Sequence, residues 1–230
     1  VKRLKALSPE LCVTAAYGRI LPAAVLGLPA RGSINLHPSL LPKYRGAAPI
    51  RRVLMNGETH TGVTVMWMSE GMDEGDIILQ ERVAIGESEN HQELSERLSR
   101  AAVPLVLEAM GAIERGEAAS IQQEPGEATY APPLKREEYR LDWKRPAADI
   151  YNQVRALAPQ PGAYTLWKGK RLKVNKCEKT SAGEGIPGRI VEISKRGPVV
   201  VGLDHGLLLV ELQPEGRKRM SGEEFVRGYR

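Results

Sequence analysis

Two short segments of the sequence carry side chains that together could transfer an acyl group to an amine. Asn35 and His37 are two residues apart, and Asp73 follows 36 residues after the histidine, within residues 71–76. Attack of an amine on an acyl carbon forms a tetrahedral oxyanion, so the reaction needs a hydrogen-bond donor for that oxygen and groups that accept and return a proton. An amide N–H aimed at an oxyanion is worth about 3–4 kcal/mol, and a positioned imidazole raises the rate roughly 10²- to 10⁴-fold. The three residue types therefore predict a site for acyl transfer.

The elements predicted around these side chains place them at the ends of strands. If residues 32–36 form a strand, Asn35 and His37 project from the same face, just where the ladder ends. Residues 63–67 alternate in the manner of a strand that delivers Asp73 at its end, where catalytic groups of open α/β sheets lie. A carboxylate at that place would orient the imidazole ring and stabilise its charged form.

The run that begins at Asn35, followed by a Gly-x-Asp-x-Gly pattern around Asp73, resembles the signature of the folate-dependent formyltransferases. These enzymes move a formyl group from 10-formyltetrahydrofolate to an amine, and the resemblance implies that co-substrate. It also implies that Asn35, His37 and Asp73 are the catalytic residues. The residues that would contact the folate are Ser39, Leu40, Leu41, Pro42, Tyr17, Gly18 and Ile20.

Further runs narrow the resemblance to those members of the family that formylate initiator methionyl-tRNA: residues 44–50, 61–64, 128–132, 141–143 and 154–163. The resemblance implies that the sequence opens inside the catalytic domain, without the first strands and helices of the family. Two interpretations stay open within these runs. Arg45 either steadies the tRNA end or the folate tail, or is a solvated surface arginine. Residues 40–42 either form an apolar wall for the pteridine ring or cover an edge of the core.

The pattern along the whole chain predicts an α/β protein with two domains. Residues 1–116 are predicted to form a Rossmann-like formyltransferase domain that is incomplete at its N-terminal side. Residues 117–136 contain several Gly and Pro with little periodicity, which is typical of a linker. Residues 137–230 begin with a helix and continue as short alternating strands, which predicts a small OB-like β-barrel.

Two finer expectations concern the first of these domains. The apolar run at residues 11–16 is short and continuous, so we expect a buried parallel strand there. Residues 88–115 have helical periodicity, and we expect Pro104 to split that stretch into two helices because proline removes a backbone donor.

The charge distribution indicates a polyanionic partner. The chain has a net charge of +5, but residues 135–230 carry +8 and residues 1–134 carry −3. Lysine and arginine concentrated in one domain fit contacts to phosphates, and the partner that the resemblance implies is initiator methionyl-tRNA. A basic surface that only keeps the protein in solution is the alternative interpretation.

Composition restricts the class of protein further. The hydrophobic share of 42% is ordinary for a globular protein, and no apolar run approaches the roughly 20 residues that cross a bilayer. Cys12 and Cys177 are too few for a secreted disulfide framework, so we expect a reducing cytoplasm and interpret both as small buried residues. The histidines lack metal-ligand spacing, and the acids of residues 71–76 lack the EF-hand pattern, so we expect no metal. We also expect a monomer.

Two alternatives to formylation of methionyl-tRNA remain at this level. The first keeps the chemistry and changes the acceptor, to an amino sugar nucleotide or to glycinamide ribonucleotide. The second is an RNA-binding protein without catalytic activity. A basic second domain argues against glycinamide ribonucleotide, and residues 47–50 argue against an amino sugar nucleotide. Folate-dependent protection against unfolding would argue against an inert RNA-binding protein.

Overall fold

A computed structural model describes residues 1–182 and 185–229 and divides the chain into two compact units. Unit 1 contains residues 1–52, 59–87 and 94–133, and unit 2 contains residues 53–58, 88–93 and those from 134 onward. Positions 183, 184 and 230 fall inside the predicted C-terminal domain and lie outside the described residues.

A mixed four-stranded sheet forms the centre of unit 1. Its strands, in chain order, are β1 Cys12–Ala15, β2 Ser33–His37, β3 His60–Trp67 and β4 Ile77–Ala84. The sheet has the order β1-β2-β3-β4, with β1 parallel to β2 and the other pairs antiparallel. The predicted strands are therefore confirmed. Asn35 and His37 both belong to β2, and His37 is its last residue.

Strand β1 is less buried than expected. It pairs in parallel with β2 as predicted, but its residues alternate between partial burial and exposure, and Val13 retains 42% of its accessible surface. β1 is the edge strand of the described sheet, so one side of it has no neighbouring strand there. Hydrophobic composition alone cannot tell an edge strand from a central one, which explains the error.

Four helices accompany this sheet in the first half of the chain: α1 Lys2–Ala6, α2 Ala23–Leu26, α3 Pro49–Met55 and α4 His91–Arg115. The predicted break at Pro104 is wrong, because α4 runs continuously through it. Pro104 is exposed, so the carbonyl group that loses its intrahelical partner can bond to water instead. A buried stripe, which includes Leu98 and Leu105, holds both halves of α4 in place. None of the described helices is both long and apolar enough to cross a membrane.

Part of the segment predicted to be a linker is bound to unit 1. Ile121 exchanges two backbone hydrogen bonds with Ile77, at 2.8 and 2.9 Å. Further along, Thr129 and Ala131 bond to the backbone of Arg45, at 2.8 and 2.7 Å. Residues 125–127 of this segment also form a short 3₁₀ helix. Backbone pairing over such long sequence separations leaves no local signal, so glycine and proline alone did not indicate it.

Unit 2 contains a six-stranded antiparallel sheet. Its strands are β5 Ala163–Trp167, β6 Lys170–Thr180, β7 Ile190–Ser194, β8 Gly197–Val201, β9 Gly206–Pro214 and β10 Met220–Ser221. The order is β5-β6-β9-β8-β7, with β10 paired to β9. In the described residues no ladder joins β5 to β7, so the sheet is open. The alternating strands are thus confirmed, whereas their closure into an OB-like barrel is not.

Unit 2 also contains the helices α5 Ala147–Leu157 and α6 Gly222–Gly228. α6 begins with a capping box, in which Ser221 and Glu224 each bond to the other's backbone N–H. Cys177 lies in the core, where burial raises the pKa of its thiol to about 12. That thiol stays protonated near neutral pH. Cys12 is only partly buried, so the expectation of a buried residue holds for Cys177 alone.

Asp204 caps α5 from a distant turn, which makes part of the stability of unit 2 dependent on pH. Its Oδ1 accepts hydrogen bonds from the backbone N–H groups of Ala147 at 2.7 Å and of His205 at 2.8 Å. The bond from Ala147 is the main reason that the pKa of Asp204 lies below its ordinary value. A lowered pKa stabilises the folded state above the ordinary aspartate value, and this contribution is lost as the pH falls through the folded-state pKa.

We therefore expect Asp204→Asn, which keeps an acceptor oxygen but cannot ionise, to lower the free energy of unfolding at pH 7. The difference between this variant and the wild type should shrink as the pH is lowered below about 4. Urea unfolding monitored by tryptophan fluorescence in steps from pH 7 to pH 3 measures it. A difference that stayed constant over this range would contradict a contribution from the ionised carboxylate.

Candidate active site

A cavity of about 770 Å³ lies in unit 1 beside the ends of β1 and β2. Asn35, His37 and Asp73 all line it, so the structure brings the three predicted catalytic residues to one site. α4 contributes small and aliphatic side chains to another wall. In the part of the chain that the structure describes, there is no group of three or more His, Cys, Asp and Glu side chains that could hold a metal ion.

The contacts of the His37 ring determine which nitrogen carries the proton. Nε2 lies 2.9 Å from the backbone carbonyl oxygen of Tyr44, and a carbonyl oxygen can only accept a hydrogen bond. Nε2 therefore carries a hydrogen, and Nδ1 is the ring nitrogen that faces Asp73. Nδ1 lies 3.5 Å from Oδ2 of Asp73. The ring is 95% buried, and Nδ1, beside the carboxylate, is the nitrogen that has no backbone carbonyl as its partner.

Asp73 is held by its own loop and by the segment after β2. Its backbone has a φ of +54°, in the left-handed region that few residues other than glycine occupy. Its Oδ2 accepts a hydrogen bond of 2.8 Å from the N–H of Gly46, so the carboxylate lies between that amide and the imidazole. Gly75 lets the loop turn back, because a Cβ there would overlap the carbonyl oxygen of Trp67.

The Asn35 amide is oriented by a side chain on the neighbouring strand. Thr14 of β1 donates from its hydroxyl to Oδ1 of Asn35 at 2.8 Å, the shortest of the hydroxyl's contacts. With Oδ1 held in this way, Nδ2 is the atom left to donate towards the cavity that Asn35 lines. An N–H donor is thus available at Asn35, and its role in binding an oxyanion stays a prediction.

The four residues of the loop predicted to border the folate lie outside the cavity lining that the structure describes: Ser39, Leu40, Leu41 and Pro42. Ser39 is fully buried, and its hydroxyl donates to the carbonyl of Lys43 at 2.6 Å. Leu41 packs with Met66 and Ile77 in a small core cluster. Their contact with folate stays a prediction, while their packing favours the alternative that they cover an edge of the core.

Three other predicted folate contacts do line the cavity: Tyr17, Gly18 and Ile20. Tyr17 and Ile20 are 59% and 73% exposed, so their apolar surfaces are accessible to a ligand. Gly18 has a φ of +72°, a conformation that favours glycine. Their placement is compatible with the predicted role.

Sequence reasoning did not assign several contacts of this site. They come from the hydroxyl of Thr14, the carbonyl of Tyr44 and the side chain of Gln123. Arg45 is 6% exposed, and its guanidinium donates to Gln123, so the interpretation of Arg45 as a solvated surface residue is wrong. A backbone carbonyl leaves no trace in residue types, and Gln123 lies in the stretch that composition had indicated to be a linker.

Two family models match separate parts of the chain. Residues 1–110 match the family described as Formyl transferase, and residues 133–230 match Formyl transferase, C-terminal domain. Curated relatives are 42–47% identical to this chain over nearly all of its length. The chain therefore belongs to the formyl transferase family, and the family resemblance predicted from the sequence is confirmed.

The curated relatives that are 42–47% identical share a name that is more specific than the family. The methionyl-tRNA formyltransferase of Moorella thermoacetica is 47% identical over 98% of this chain and 73% of its own length. That of Carboxydothermus hydrogenoformans is 46% identical over 100% of this chain and 75% of its own length. Among solved structures, HypX from Aquifex aeolicus in complex with tetrahydrofolic acid matches with a TM-score of 0.74 at 21% identity, over 99% of this chain and 41% of HypX. The last likeness concerns the fold alone.

Proposed function

We propose that this protein transfers the formyl group of 10-formyltetrahydrofolate to the α-amine of methionyl-tRNA. The observation that carries the proposal is the convergence of Asn35, His37 and Asp73 on one cavity. It occurs in a chain that is 47% identical to a methionyl-tRNA formyltransferase. The three side chains supply a donor for an oxyanion, a proton acceptor and a carboxylate that faces that acceptor.

The cavity suits a flat co-substrate with polar edges. Its volume of about 770 Å³ lies within the range of roughly 300–1,000 Å³ that is usual for small-molecule sites. Apolar surface dominates the lining through residues such as Tyr17 and Ile20. The hydroxyl of Ser69, which also lines the cavity, has no hydrogen-bond partner among the described residues.

Proton transfer follows from the orientation of the His37 ring. As the α-amine attacks the formyl carbon, its nitrogen becomes positively charged and must lose a proton. Nδ1 of His37 accepts it, because Nε2 already donates to the carbonyl of Tyr44. The resulting imidazolium has Asp73 within 3.5 Å, and this carboxylate opposes the new positive charge. The attacking amine must therefore approach His37 on the side of Asp73.

The other two events involve the oxygen and the leaving nitrogen. As the carbon becomes tetrahedral, the formyl oxygen gains a negative charge, and Nδ2–H of Asn35 donates to it. The intermediate collapses when the bond to N10 of the folate breaks, and that nitrogen takes a proton from the imidazolium of His37. The ring then returns to its neutral form, and tetrahydrofolate and formyl-methionyl-tRNA are released.

The basic C-terminal part of the chain would bind the nucleic-acid part of the acceptor. Residues 135–230 carry +8 of charge, and lysine and arginine that neutralise phosphates give an affinity that falls with rising salt. A small acceptor needs no such surface. This charge is the feature that favours a tRNA over an amino sugar nucleotide or glycinamide ribonucleotide.

The purified protein should formylate methionyl-tRNA when 10-formyltetrahydrofolate is supplied. The assay separates formyl-methionine from methionine after hydrolysis of the tRNA ester, with uncharged tRNA, a dTDP-linked amino sugar and glycinamide ribonucleotide as parallel acceptors. Product with a small acceptor alone would reject the proposed substrate. Binding of tRNA without turnover, and without a folate-dependent rise in Tm, would instead indicate an inert RNA-binding protein.

A further inference from the structure

We propose that Gln123 is a positioning residue for Asp73, acting through the backbone of the catalytic loop. The inference rests on the proposed function for the role of Asp73, and it adds a residue that lies 50 positions further along the chain. It concerns how the carboxylate is held in place and not which groups touch the substrate.

Both the nitrogen and the oxygen of the Gln123 side-chain amide form hydrogen bonds, the nitrogen to the loop of Asp73 and the oxygen to Arg45. Nε2 donates to the backbone carbonyls of Asp73 at 2.9 Å and of Gly75 at 2.7 Å. Oε1 accepts from Nε and Nη2 of Arg45 at 3.1 and 2.7 Å. Gln123 is 4% exposed and Arg45 6% exposed, so water competes little with these bonds. A buried carbonyl that lost its donor would destabilise this loop conformation.

The chemistry of the neighbours determines the orientation of the Gln123 amide. A guanidinium group can only donate and a backbone carbonyl can only accept, so Oε1 must face Arg45 and Nε2 must face the loop. A glutamate at this position would have the same shape and could still accept from Arg45. It would have no N–H to offer the two carbonyls, and its charge would face them.

The contacts form a closed ring around Asp73. Gln123 holds the backbone of Asp73, and the side chain of Asp73 accepts from the N–H of Gly46. Gly46 follows Arg45 directly, and Arg45 is the residue that anchors the other end of Gln123. Asp73 is therefore held at its side chain by Gly46 and at its backbone by Gln123, which Arg45 holds in turn. This ring keeps Asp73 in its left-handed conformation and at its distance from His37.

A Gln123→Glu variant tests the proposal, with Gln122→Glu as the matched control because Gln122 is the exposed neighbour. We expect Gln123→Glu to lower kcat for formyl transfer about 10- to 100-fold, since small misplacements of catalytic groups have effects of this size. KM for methionyl-tRNA and for 10-formyltetrahydrofolate should change less than about 2-fold, because no substrate contact is removed. Gln122→Glu should match the wild type.

A double-mutant cycle shows whether the effect passes through Asp73. In an Asp73→Ala background, Gln123→Glu should have little further effect on single-turnover rates, because the group it positions is gone. A full additive loss in that background, or a wild-type kcat in the single variant, would overturn the proposal. If Gln123→Glu fails to fold, Arg45→Lys replaces it as the test. Lysine cannot donate the pair of hydrogen bonds that the guanidinium gives to Oε1 of Gln123, so this variant should show the same fall in kcat at constant KM. An Arg45→Lys variant with unchanged kcat would equally overturn it.

The wild-type arm of the same experiment tests the proposed function by itself. If the wild type failed to formylate methionyl-tRNA but used another acceptor, the proposed function would be wrong. The comparison of variants could still be made with that acceptor, so the two failures are distinguishable.

Discussion

Replacing His37 with alanine should abolish almost all formyl transfer while leaving the folate site intact. We expect kcat to fall roughly 10²- to 10⁴-fold, the usual contribution of a positioned general base. The methyl group of alanine offers no lone pair at the place of Nδ1, so the attacking amine must release its proton to water. Initial rates with saturating methionyl-tRNA and 10-formyltetrahydrofolate measure the loss.

Two further measurements separate catalysis from folding in the His37→Ala variant. A folate analogue should raise its Tm as much as that of the wild type, because ligand binding to the folded state stabilises it by mass action. His60→Ala is the matched control, since His60 is an exposed histidine of the same unit and does not line the cavity. It should keep wild-type activity. Near-wild-type turnover by His37→Ala would remove this residue from the mechanism.

Replacing Asn35 with alanine should have the second largest effect. The loss of one donor to an oxyanion costs about 3–4 kcal/mol, which corresponds to roughly 10²- to 10³-fold in kcat. The bond forms fully only as charge develops on the formyl oxygen, so KM should change little. Steady-state kinetics with each substrate varied in turn would show this pattern. A rise in KM with an unchanged kcat would instead assign Asn35 to ground-state binding.

Thr14→Val tests the orientation of the Asn35 amide without removing it. Valine has the shape of threonine but cannot donate to Oδ1 of Asn35, so the amide stays present and loses the bond that orients it. The fall in kcat should be smaller than that of Asn35→Ala. If Thr14→Val and Asn35→Ala act through the same amide, their effects should not add in the double variant.

The sequence predicted the placement of the three candidate catalytic side chains at the ends of strands because local rules govern it. Two-residue spacing puts Asn35 and His37 on one face of a strand, and the strand β3 leads directly to the loop of Asp73. The capping box at Ser221 likewise depends on residues three positions apart. Periodicity over a few residues is a property of the chain itself, so it can be identified before the fold is known.

Predictions that depended on distant neighbours succeeded less well. The helix through Pro104 is continuous because a buried stripe holds both halves, and β1 is half exposed because it is an edge strand. Ser39 and Leu41 are buried outside the cavity lining that the structure describes, and their contact with folate stays a prediction. In each case the outcome depended on which surfaces meet in three dimensions.

The amino-acid sequence by itself determined which groups could do the chemistry: an amide, an imidazole and a carboxylate at the ends of strands. Only the tertiary structure decided how each of them points. The tautomer of His37 depends on a backbone carbonyl at Tyr44, and the position of Asp73 depends on Gln123, a residue 50 positions away. Residue types specify what a side chain can donate or accept, but only folding brings together the particular partners that use those capacities, because hydrogen bonds form over about 3 Å regardless of separation along the chain.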